Sequence, residues 1–209
     1  MGNGLPPGPR TGLHDAGEID DGTLARIGSP TPGSIGVGAQ SGEARTLSPK
    51  TSNLIVSFAR RHMGVRVGNG ECFTLVDRAL RNAGAKSAAD FGPVGPDENY
   101  IWGTSINLSE LRPGDVIQFR DYACTHRVDT ETDKGTAWQE RREERGHHTA
   151  IVQQVGGNGA VTVLEQNSPK GSPVVRTELF FADGRITSRH RTATITVEGT
   201  FWFYRPHPR

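Results

Sequence analysis

Gly68-Asn69-Gly70-Glu71-Cys72-Phe73-Thr74-Leu75-Val76-Asp77-Arg78-Ala79-Leu80-Arg81-Asn82-Ala83-Gly84 is the stretch from which the fold is read. Its opening Gly-Asn-Gly is a turn, since glycine takes positive φ at no steric cost and Asn tolerates it. Cys72, Phe73, Leu75, Val76, Ala79, Leu80 and Ala83 then recur at helical spacing, and Gly84 is a natural stop. The spacing predicts a helix over 71–83 with Cys72 in its first turn. Unpaired N–H groups and the positive end of the helix dipole favour thiolate over thiol there. Alone, the motif fits better a small apolar cysteine packed in a core, the commoner role of a lone cysteine.

Downstream, His148-Thr149-Ala150-Ile151-Val152-Gln153 and Ala160-Val161-Thr162-Val163-Leu164-Glu165 flank Gly156-Gly157-Asn158-Gly159, a hairpin signal. A turn centred on Gly157-Asn158 sets Ala150 against Glu165 and His148 against Asn167. Alternation along strands then brings His148, Glu165 and Asn167 to one face. An imidazole whose second nitrogen is held by a carboxylate or amide has a fixed tautomer and aim, as a general base requires. His147 points to the opposite face. A one-residue bulge would change this pairing.

Elsewhere, Ser48 and Pro49 read as N-cap and N1 of a helix with Leu54, Ile55, Phe58, Ala59 and His62 on its apolar side. Asp115 to Phe119 reads as a strand after the Arg112-Pro113-Gly114 turn, and 174–181, 192–198 and 200–205 read as later strands. Residues 121–146 are polar and of mixed charge, which fits a solvated face or a lid. Tyr100, Ile101 and Trp102 fit a cleft lining or core cover equally well. Two helices followed by a mostly antiparallel sheet give an α+β domain over 49–209.

The first 48 residues hold 11 of the 27 glycines and few large apolar side chains, so they are read as a disordered segment or linker. Three arginines against five acids give them −2, leaving +3 for the remainder of a chain whose net charge is +1. That charge is too small, and too free of basic stripes, to suggest nucleic-acid binding. No long apolar run suggests a membrane span, and no basic-then-apolar start suggests a Sec signal. The chain reads as cytoplasmic or exported by another route, and as a monomer. Cys72 and Cys124 are expected as free thiols, and Cys124, His126, His147 and His148 fit no common zinc spacing. No metal or cofactor is expected.

Four pieces together resemble the CHAP family of cysteine- and histidine-dependent amidohydrolases/peptidases, a branch of the papain-like NlpC-type superfamily. They are Gly68 to Leu75, Leu111 to Phe119 with its Pro113-Gly114-Asp115, His148 to Val152, and Val163 to Asn167. The resemblance implies a papain-like fold and hydrolysis of an amide bond, most often in peptidoglycan peptides. Cys72 would be the nucleophile, His148 the base, and Glu165 with Asn167 the orienting groups. Glu71, Phe73 and Trp102 would contact substrate or the oxyanion. CHAP members usually carry Gln before the cysteine. A carboxylate there opposes an oxyanion unless protonated or turned away. That difference and the charged 121–146 segment mark a divergent member. Two further roles fit the sequence: a binding module that keeps the fold without the activity, and a toxin-like amidase with an immunity or delivery partner.

Overall fold

A computed structural model describes residues 48–157 and 159–209. The Gly/Pro-rich segment through residue 47 and Asn158 at the hairpin turn lie outside the described residues. Helix α1, Pro49–Arg61, opens as its sequence dictates, with the Ser48 hydroxyl accepting from Thr51 N at 3.2 Å and proline in the first turn. Its buried face is Ser52, Ile55, Val56 and Ala59. Leu54, expected on that face, is 38% exposed. His62 lies past the helix end, where Nδ1–H donates to the Phe58 carbonyl. Helix α2, Cys72–Asn82, buries Leu75, Val76, Ala79 and Leu80. It ends in a Schellman pair, Ala85 N to Leu80 O and Gly84 N to Arg81 O.

Seven strands follow: β1 Thr104–Ile106, β2 Val116–Thr132, β3 Gly135–Val155, β4 Ala160–Glu165, β5 Val175–Phe180, β6 Gly184–Ser188 and β7 Arg191–Arg205. They form one sheet in the order β1-β7-β2-β3-β4-β5, with β6 beside the start of β7, and all named pairs are antiparallel. The α+β expectation is met. The two predicted strands at 192–198 and 200–205 are one continuous strand. Residues 121–146 are neither loop nor lid: they are the outer halves of β2 and β3, a long hairpin ribbon. Beyond the buried base at Tyr122, Ala123, Cys124 and Arg145, the mixed charges suit largely exposed strands, which lack the apolar alternation by which strands are recognised.

Both faces of the inner sheet are covered. Val116, Ile151, Leu164 and Tyr204 pack with Ile55, Ala59, Leu75 and Ala79 of the helices. Ile117, Ala150, Val152, Val163 and Phe203 occupy the other face. Phe181, just past the edge strand β5, stacks on Phe119, Tyr122, Phe201 and Phe203. Those residues belong to strands two or more places away, so the sheet curls to enclose this second core.

A bulge divides the inner sheet from the ribbon. Arg120 pairs with Thr200 and Ala123 with Glu198, so Asp121 and Tyr122 oppose Gly199 alone. Asp121 has φ +54° and Gly199 φ +87°. A Cβ on Gly199 would collide with the backbone carbonyl of Asp121. Gly199→Ala is therefore expected to cost roughly 2–4 kcal/mol of stability, read by chemical denaturation. A variant as stable as the parent would show that the bulge is not needed for the sheet.

Candidate active site

The thiol is set by a tight turn and one buried amide. Gly68 and Gly70 take φ +63° and +86°, as the turn reading requires. Asn69 Oδ1 accepts from Glu71 N at 3.1 Å and from the Thr74 hydroxyl at 2.6 Å. Across the domain, Gln166 Oε1 accepts from Val67 N at 2.9 Å, and its Nε2 donates to the carbonyls of Val67 and Glu71 at 3.1 and 2.7 Å. Gln166 is wholly buried. Glu71 is the N-cap position and half-buried Cys72 the first helical residue. The Cys72 N–H is among the four that an α-helix leaves without an intrahelical acceptor.

The imidazole comes from β3 and the carboxylate from β4. His148 Nε2–H donates to Glu165 Oε2 at 2.9 Å, both groups being buried. The ladder pairs Ile151 with Leu164 and Val152 with Val163, the register expected from the sequence. A bulge between Val152 and Gln154 shifts it by one residue only on the turn side. His148 and Glu165 therefore share a face as read. Arg145 completes the group: its Nε and Nη2 donate to Glu165 Oε2 and Oε1 at 2.9 and 2.6 Å.

Charge follows from these contacts. Burial pushes the Cys72 thiol up, but the hydrogen bond and charge of His148 and the backbone N–H groups of Thr149 and Phe73 outweigh it and hold the thiol below its ordinary value. Burial likewise opposes a charged His148, yet its bonds to Cys72 and Glu165 raise it to about 8. Burial would raise the Glu165 carboxyl, but His148 and Arg145 bring it down to about 2. With Nε2–H committed to Glu165, Nδ1 is the nitrogen that faces Cys72. Both shifts, the thiol down and the imidazole up, run in the direction of a thiolate–imidazolium pair.

The remaining expected site residues have other partners. Asn167 lies past the end of β4 and has no ladder partner on β3. The strand has ended, the residue takes φ +66°, and its Nδ2 donates to Glu71 Oε2 at 2.9 Å while Oδ1 accepts from Gly171 N. Glu71 is exposed and engaged by that amide. Trp102 is fully buried, with Nε1–H donating to Gln118 at 3.2 Å, so it covers the core and lines no cleft. Phe73 is partly buried against Tyr100 and Trp102. His147 turns away as expected and donates to the Glu98 carbonyl at 2.7 Å. Both cysteines are free thiols, and Cys124 is buried in the second core. Among the described residues no group of three or more His, Cys, Asp or Glu side chains is placed to hold a metal ion, and no helix is long and apolar enough to cross a membrane.

A thiol at a helix start facing an imidazole on an antiparallel sheet defines the cysteine-proteinase class of fold. A family model described as AIM3/BBC1 Cysteine proteinase-fold domain matches residues 41–209, and the chain belongs to that family. No curated protein and no solved structure was found to match it. The family supports the papain-like architecture and stops short of the narrower CHAP assignment.

Gln166 and Arg145 carried no role in the sequence reading. Gln166 had a signal: on alternation it lies on the helix-facing side after Leu164, where a buried amide must find partners. Replacing it with Leu takes the acceptor from the Val67 N–H, while the Val67 and Glu71 carbonyls keep backbone donors from Gly70, Thr74 and Leu75. Gln166→Leu is expected to cost roughly 1–3 kcal/mol and to slow Cys72 alkylation by loosening the turn, checked by denaturation and thiol labelling. Parent-like values for both would remove Gln166 from the site's framework.

Proposed function

We propose that the domain is a cysteine amidase or peptidase in which Cys72 is the nucleophile, His148 the acid–base group and Glu165 the residue that orients it. The observation that carries this reading is a buried imidazole bonded to a buried carboxylate and close enough to a helix-start thiol to lower it. The Cys72 thiolate attacks the amide carbonyl carbon, forming a C–S bond, and the Cys72 N–H stabilises the oxyanion. His148 then gives its Nδ1 proton to the leaving nitrogen, the C–N bond breaks, and a thioester remains. His148 removes a proton from water, which attacks the thioester and releases the acid, restoring the pair. Glu165, accepting from Nε2–H throughout, keeps the ring aimed.

The resemblance to CHAP enzymes supports a peptide amide as the bond, with peptidoglycan peptides as the first substrates to test. The alternative is a binding module of the same fold. It is favoured by Glu71, whose exposed carboxylate precedes the nucleophile where CHAP members carry Gln.

Cys72→Ala and His148→Ala should each lower kcat/KM on a cell-wall peptide by at least about a thousandfold with the fold intact. Parent activity in either variant would sink the assignment. A parent chain inactive on a broad peptide panel would favour the binding module. The pH profile should be a bell belonging to the pair. Its acid limb lies below the ordinary thiol value, because protonating Cys72 removes the nucleophile. Its alkaline limb lies near pH 8, where neutral His148 has no proton for the leaving amine.

A further inference from the structure

Arg145 is 5% exposed, on the strand that carries His148, yet ideal alternation would put residues three apart on opposite faces. The pairs Phe119–His148 and Tyr122–Arg145 explain its position. Phe119 and Tyr122 both face the second core because β2 bulges at Asp121 between them, and β3 keeps step with β2 across that point. Arg145 thereby arrives under Glu165 with its forked bond, while Nη1 donates to Glu143 Oε2 at 3.1 Å and to the Glu144 carbonyl at 2.7 Å. Every N–H-bearing nitrogen of the guanidinium is used, and Glu165 takes the cation on both oxygens.

Resting on the thiolate–imidazolium reading of the site, we propose that Arg145 is a positioning residue whose guanidinium balances Glu165, so that Cys72 and His148 hold separated charges in a buried setting. With Arg145 present, thiolate, imidazolium, the Glu165 carboxylate and guanidinium sum to zero, and Glu143 on Nη1 adds a charge that is partly exposed to water. Without it the group carries one excess negative charge away from water, a costly state. It is relieved by a proton, and the thiolate is the strongest base present to take it. Glu165 then still pairs with His148, but Cys72 is a thiol. The charged and titratable groups facing this cluster are Glu143 on β3, Tyr122 and Cys124 on β2, Glu165 on β4, Cys72 on α2, and Tyr100 from the preceding loop.

The test is the rate of iodoacetamide alkylation of Cys72 in the full chain across pH, the label being localised by mass spectrometry. Arg145→Met should move the alkylation midpoint up by about one pH unit or more, a tenfold loss of thiolate on the acid side. Arg145→Lys, which keeps the charge but loses the fork, should stay within about half a unit of the parent. Removing the excess charge in Arg145→Met/Glu165→Gln should bring the midpoint back toward the parent, which a merely structural role would not do. A folded Arg145→Met variant with the parent midpoint overturns the inference and leaves the reading of the pair standing. If Arg145→Met does not fold, Glu165→Gln and the double variant give the same comparison without a buried unpaired carboxylate. The double variant should ionise at higher pH, and coincident midpoints overturn the inference. A parent chain whose Cys72 ionises at the ordinary thiol value overturns the reading and the inference together.

Discussion

The site depends on a carboxylate with no contact with water, Glu165, held between a guanidinium and an imidazole. A buried carboxylate with one partner missing is strongly destabilising, whereas a fully bonded one is tolerated. Glu165 has three donors on its two oxygens, and each comes from β3. The β3–β4 ladder is therefore under two demands at once. It must bury apolar side chains on both faces, and it must deliver Arg145 and His148 to one point.

Those demands conflict with the regular pleat, and the bulge resolves the conflict. On a perfect strand, His148 facing Glu165 would leave Arg145 on the far side. The irregularity at Asp121 and Gly199 lets both strands miss one step of alternation, so Tyr122 stays in the second core and Arg145 joins the site. The close approach of Gly199 to the Asp121 carbonyl is thus a condition of the site's electrostatics, although neither residue touches the thiol. Bulges that re-aim a side chain beside a functional site are a common device in sheets.

The same physics explains what the sequence disclosed. Periodicity located α2 and Cys72, and the hairpin register located His148 and Glu165, because these rest on local rules that the structure obeys. The bulge at Gln153 did no harm because it lies between the site and the turn. Arg145 was hidden because it sits in a charged run that looks like a solvated surface, and its face is decided by a distant glycine. Asn167 was misplaced because strand alternation was carried past the end of the strand. Trp102 was ambiguous because an aromatic in an aperiodic segment reads alike in a core and in a cleft.

Three consecutive residues at the end of β4 show how the two layers are joined. Glu165 faces the second core and holds His148. Gln166 faces the helices and clamps the turn before Cys72. Asn167, freed from the pleat by its positive φ, takes the Glu71 carboxylate. His148 and Cys72 belong to elements far apart in sequence, yet both are referenced to one short piece of backbone. An error in placing that strand end would move His148 and Cys72 together, so their separation is insulated from shifts of the sheet against the helices. The bond to Asn167 also bears on the residue that departs from the CHAP pattern. The Asn167 amide holds the Glu71 side chain in place beside the start of the Cys72 helix.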